Sequence, residues 1–171
     1  MEWNGRRTIW WVMKRALQIT SALLATLLIL FMACSKTDKV IVVADDDPEM
    51  LAAIAKARDT LPQFWKVFDK PEHGENGFAL KVKITDKRGT EHFWAVDIER
   101  GDGKVMGTIN NDPDIVASVK LGDRIPIPEA DISDWLYMRE DKMVGNETLR
   151  PLLKKMPAKE AEQLRSIMAN P

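Results

Sequence analysis

The chain has only two histidines, His73 and His92, so proton transfer or metal binding by imidazole would fall to one of them. His92 stands beside Glu91, five residues before Asp97, and well upstream of Asp134. One reading of these residues is a hydrolase in which His92 works with Glu91, Asp97 or Asp134 as acid and base, in one form assisted by a metal. The nucleophiles for such chemistry are poorly supplied. After the leader there are four serines, Ser35, Ser118, Ser133 and Ser166, and none sits in a G-x-S-x-G elbow. A zinc site would need both histidines plus Glu75 or Glu91, with no ligand spacing between them. The acidic run Asp45-Asp46-Asp47-Pro48-Glu49 lacks the alternation and the obligatory glycine of a calcium loop. No glycine cluster lies between a strand and a helix to cradle phosphate. No metal and no cofactor is expected.

A second constellation is denser. Asp134-Trp135-Leu136-Tyr137 is followed by Gly145-Asn146-Glu147-Thr148-Leu149-Arg150. Strand alternation puts Trp135 and Tyr137 on one face, with Asp134 and Leu136 on the other. Read for binding, Trp135 and Tyr137 form a flat recognition surface and Arg150 grips an anionic group, joined by the Asn110-Asn111-Asp112 loop. Read for architecture, Trp135 anchors the core and Arg150 pairs with Asp134 or Glu147 to fix the last helices.

The elements that hold these residues follow from periodicity. Val40 to Ala44 reads as a first buried strand. Asp45 to Glu49 supplies a carboxylate cap, a proline at the first helical position and acids at the positive end of the dipole. Met50, Leu51, Ile54 and Leu61 carry the helical spacing, Pro62 ends it, and Thr60 caps a second short helix bearing Phe64, Val67 and Phe68. Phe78, Leu80, Val82 and Ile84 then alternate with polar residues, and His92, Trp94, Val96 and Ile98 share a face of the next strand. Gly101-Asp102-Gly103 turns the chain into Val105 to Ile109. Asp112-Pro113-Asp114 opens a short helix, and "RIPIP", 124 to 128, can only be an edge strand. A hairpin around Glu140-Asp141-Lys142 and two closing helices, Glu147 to Lys155 and Pro157 to Met168, complete the chain. The expected class is α+β: an antiparallel meander sheet, with helices from both ends of the chain packed on it.

The front of the chain carries a separate message. Ala22 to Ala33 is apolar apart from Thr26, follows Lys14 and Arg15, and ends at a small residue before Cys34. These are the parts of a secretory signal, and twelve residues are short of the roughly 20 that a membrane span needs. Phe31-Met32-Ala33-Cys34 resembles the lipobox of bacterial lipoproteins, with Phe31 where leucine is usual, and Ser35 resembles the residue followed by outer-membrane sorting. The resemblance implies cleavage before Cys34 and acylation of its thiol, which anchors the chain to the membrane facing the periplasm. An uncleaved helix in the inner membrane is the alternative, reached by adding Ala16 to Ser21. Met13 offers a second start. The expected organisation is a signal over 1–33, a tether and first strand over 34–44, and a single domain over 45–171.

Without the leader's four cations and Glu2, 21 basic face 25 acidic side chains, with the lysines scattered. No phosphate-binding stripe exists, so nucleic acid is not an expected partner. Cys34 is the chain's one cysteine, so there is no disulfide framework.

"TLPQFWKVF", "FALKVKI", "EHFWAVDI", "GTINNDP", "VKLGDRIPIPEADISDWLYM" and "GNETLRPLLKKM" together resemble the YegJ-like bacterial proteins, a domain of unknown function (2314). The resemblance covers roughly residues 45 to 168. It implies one exported domain and brings no activity or site residues with it. The combined expectation is a lipid-anchored module of the cell envelope that binds an envelope protein without catalysing a reaction; the hydrolase built on His92 is the alternative.

Overall fold

Asp47 accepts hydrogen bonds from the amides of Glu49 (2.9 Å) and Met50 (3.2 Å), and Pro48 takes the first helical position, where no N–H is needed. This computed structural model describes residues 47–169; the leader, Cys34 and the strand expected over 40–44 lie outside them. The first helix, α1, spans Pro48–Asp69 and runs unbroken through Pro62. That corrects the expectation of two helices. Thr60 caps nothing: its hydroxyl donates back to the carbonyls of Lys56 (2.8 Å) and Ala57 (3.2 Å). Pro62 is exposed, so the missing ladder bond lies on the wet side, while Leu61, Phe64 and Trp65 hold the helix to the sheet.

Six antiparallel strands follow: β1 (Asn76–Asp86), β2 (Gly89–Gly101), β3 (Lys104–Ile109), β4 (Arg124–Pro126), β5 (Ile132–Arg139) and β6 (Lys142–Gly145). They form one sheet in the order β4-β3-β2-β1-β5-β6. Two short helices, α2 (Leu149–Leu153) and α3 (Ala158–Ile167), close the chain. The class is α+β, with the sheet open and helices from both ends of the chain. No helix among the described residues is long and apolar enough to cross a membrane.

The core lies between α1 and one sheet face. Ala57, Leu61, Phe64 and Trp65 pack on Leu80, Val82, Ala95, Ile132, Trp135 and Tyr137. Fully burying one such large side chain stabilises the fold by about 1.5–3 kcal/mol. Two irregularities re-aim side chains. Asp97 adopts a positive φ of 49° in a bulge between Val96 and Glu99, which turns Ile98 toward the α1 core and away from the face shared by His92, Trp94 and Val96. A register shift between β1 and β5 pairs Val82 with Ile132 but Lys81 with Asp134, and so leaves Ser133 in the bulge.

No helix forms at Asp112. The amides that would begin one are taken by side chains from the β1–β2 hairpin. Glu91 accepts from the amides of Asp114, Ile115 and Val116, and Asp86 from those of Ala117 (2.6 Å) and Ser118 (3.1 Å). These bonds, that from Ala117 foremost, hold the Asp86 carboxyl below the usual range. The loop so fixed seats Val116 against Phe93 and Ile109 in a second, smaller core.

Candidate functional site

Asp134 is fully buried on the sheet face opposite α1. Its Oδ1 accepts from the amides of Trp135 (2.8 Å) and Glu147 (3.2 Å). Its Oδ2 accepts from the amide (2.7 Å) and hydroxyl (2.6 Å) of Thr148. The ammonium of Lys81, across the β1–β5 pairing, donates to the same Thr148 hydroxyl oxygen at 3.0 Å and lies 5.5 Å from the Trp94 ring centroid. Burial pushes the Asp134 carboxyl above its ordinary range, against the pull of Thr148, the amides and Lys81. Burial likewise pushes Lys81 down, and the nearby Asp134 charge resists it. The group is a hub: it clamps residues 146–148 to the sheet and sets the direction in which α2 departs.

The consequence is felt at Arg150. Glu147, held at its backbone by Asp134, receives the Arg150 Nε at 2.9 Å and Lys56 at 3.1 Å. Arg150 therefore pairs with Glu147 rather than with Asp134. Its Nη2 reaches the Ala169 carbonyl at a long 3.5 Å, and its other N–H groups are free among the described residues. Arg150, Lys154 and Arg165 rim a cleft of about 340 Å³, with Leu153, Met168 and Ala169 along it. The Arg165 guanidinium makes no hydrogen bond among the described residues, only a loose 3.8 Å ion pair with Glu162. Lys154 is matched by both carboxylate oxygens of Glu49.

The remaining residues singled out by sequence are dispersed. Trp135 and Tyr137, each about 5 % exposed, are stacked 5.9 Å apart in the core, where Trp135 Nε1 donates to the Ala57 carbonyl at 2.8 Å. They present no surface for recognition. Asn111 accepts the Trp94 amide through Oδ1, while Asn110 and Asp112 are exposed nearby. His92 Nδ1 lies 2.8 Å from Ser133 Oγ, and the Ser133 hydroxyl donates to the Lys81 carbonyl at 3.1 Å. The imidazole donates to that hydroxyl or accepts from it according to which ring nitrogen carries the proton. Glu91 caps the 114–116 amides, Asp97 is exposed at its bulge, and Asp134 accepts from Thr148. Among the described residues no three His, Cys, Asp or Glu side chains are grouped to hold a metal.

Sequence reading missed Lys81, Lys154 and Arg165, and gave no role to Thr148 within the run 145–150. Lys154 stands four residues after Arg150 and so on the same helical face, a signal that was available. Lys81 and Arg165 reach the site only through tertiary packing.

Comparison with known proteins places the chain in a family. Residues 47–168 match the model for DUF2314, described as "Uncharacterized protein conserved in bacteria", and the chain belongs to that family. It is 42 % identical over 121 residues to "Uncharacterized protein YegJ" of Escherichia coli (strain K12), covering 71 % of this chain and 78 % of that one. It is 30 % identical over 123 residues to "Putative ankyrin repeat protein NMB1133/NMB1171" of Neisseria meningitidis serogroup B (strain ATCC BAA-335 / MC58). That match takes in 67 % of this chain and only 48 % of the relative, so the chain spans about half of that protein. No solved structure matches.

Proposed function

We propose that this DUF2314 chain is a binding module of the bacterial cell envelope, tethered to the membrane by lipid on Cys34, and that it recognises its partner at the Arg150 cleft without catalysing a reaction. The observation that carries this reading is the state of Arg150. Buried Asp134 fixes the turn before it, Glu147 holds one edge of its guanidinium, Nη2 reaches the Ala169 carbonyl at 3.5 Å, and the side chain lines an open cleft. A preorganised guanidinium beside apolar side chains suits recognition of an anion. Of the carboxylates proposed for chemistry, Glu91 and Asp134 are committed to backbone amides, which supports binding over hydrolysis. The tether rests on the lipobox-like residues 31–34 and on their cationic and apolar approach.

The test uses the full chain expressed in a bacterium with labelled palmitate, beside Cys34→Ser. The wild type is expected to be labelled and to fractionate with membranes, while the variant is unlabelled. Photo-crosslinking from position 154 should trap an envelope protein, and Arg150→Ala should abolish the adduct without changing the thermal melt. An unlabelled wild type with an intact leader would overturn the tether. Adducts indifferent to Arg150 would overturn the site.

A further inference from the structure

We infer that the cleft takes a single carboxylate carried on an apolar residue, as at the C-terminus of a polypeptide; this rests on the proposed binding role of the Arg150 cleft. The charge balance selects the anion. Three cations surround the cleft, but Glu147 holds Arg150 at 2.9 Å and Glu49 holds Lys154 at 2.8 Å. Arg165, half exposed, is paired at 3.8 Å with Glu162, and Glu147 is shared between Arg150 and Lys56, so with Lys56 counted four cations face three carboxylates. One net positive charge matches a monoanion. A dianionic phosphate would meet Glu147 and Glu49 with its second charge unmatched.

The donors suit the same group. Arg150 is anchored through Nε, so Nη atoms on a fixed guanidinium are presented to the cleft, and Arg165 can turn a full fork toward the same point. Leu153 and Met168 supply an apolar wall for the side chain of a terminal residue, and both belong to the small core under α2 and α3. The Ala169 carbonyl, near Arg150, offers an acceptor for the amide N–H that precedes such a carboxylate. About 340 Å³ is at the small end of ligand sites, room for one or two residues rather than a long chain.

The experiment titrates full-length protein in detergent, with methyl-labelled methionine, using N-acetyl-leucine, N-acetyl-leucinamide and inorganic phosphate, and a short peptide ending in leucine with a free or amidated terminus. N-acetyl-leucine and the free-acid peptide should shift the Met168 methyl signal saturably. The two amides should bind at least tenfold more weakly, and phosphate should leave the signal in place. Arg165→Gln and, separately, Arg150→Lys should each weaken N-acetyl-leucine by about tenfold or more while leaving the melting temperature near that of the wild type. Equal binding of acid and amide, phosphate binding as tight as the carboxylate, or no shift with any probe would each overturn the inference. Binding of the free-acid peptide with no response to N-acetyl-leucine would identify a polypeptide terminus as the source, and equal responses a small acylated amino acid. Palmitate labelling and crosslinking that persist without carboxylate binding would leave the tethered module standing and remove only this occupant.

Discussion

Asp134 ties the start of the closing helices to β5. Its two oxygens receive four hydrogen bonds, so Asp134→Asn puts an NH2 group against donors already in place. The expected loss is about 3 kcal/mol, because an orphaned buried amide and an uncompensated Lys81 are left together. Urea titration of the variant measures it. Lys81→Met should cost less alone, and the double variant less than the sum, since the pair acts as a unit. Glu75 behaves differently. The amide of His73 foremost, with its own amide and Arg139 assisting, holds its carboxyl at about 2 despite burial. A depressed carboxyl stabilises the fold in full above its ordinary value of 4.5, and that contribution is lost as the pH falls from 4.5 toward 2. Glu75→Gln should flatten the melting temperature against pH in that window, and an unchanged slope would contradict the assignment.

At the scale of elements, α1 defines a test of its continuity. Proline in a helix interior is about 3 kcal/mol less favourable than alanine. Pro62 is exposed and its ring supports no core contact, so Pro62→Ala should restore the ladder bond to Arg58 and raise the melting temperature by several degrees; a fall would show that the helix needs its local bend. Gly145 points the other way. It has a φ of 84°, and a Cβ there would meet the Trp135 carbonyl and ring within 2.4–2.7 Å, so Gly145→Ala should destabilise the chain severely. Local signals were legible: the Asp47-Pro48 start, the alternation of β1, the Asp102-Gly103 turn and the edge character of "RIPIP" all depend on neighbours in sequence. What escaped reading depends on distant partners. Nothing in Asp112-Pro113 reveals that Glu91 and Asp86 take the amides of that loop, and nothing in the alternation of β2 marks Asp97 as a bulge. Asp134 and Arg150 were singled out, but the hub that links them needs Lys81 from the neighbouring strand β1, more than fifty residues earlier in the chain. Trp135 and Tyr137 were ambiguous because large aromatics serve cores and surfaces alike.

Considered whole, the described chain has three apolar clusters of unequal depth. The α1–sheet core and the loop core share Ile84 and Ile125, whereas Leu153, Ala161 and Met168 form a small cluster of their own. Residues 149–169 are tied to the rest by the Asp134 clamp on 147–148 just before them, by the ion pairs of Lys154 and Lys155 with Glu49 and Asp47, by Lys142 Nζ donating to the Ser166 carbonyl at 2.6 Å, and by a bridge at Met143. Amide exchange should therefore open 149–169 before β1, β2 and β5, and Asp134→Asn should accelerate it there first; uniform exchange would refute this partition. That bridge has a wider effect. Met168 lies parallel to Met143, and the Ala169 amide donates to the Met143 carbonyl along the outer side of β6, while β4 at the other margin is three residues long and ends in Pro126. Neither margin presents a long row of vacant amides, so the sheet is a poor template for fibril seeding, a hazard that grows when many copies crowd onto one surface.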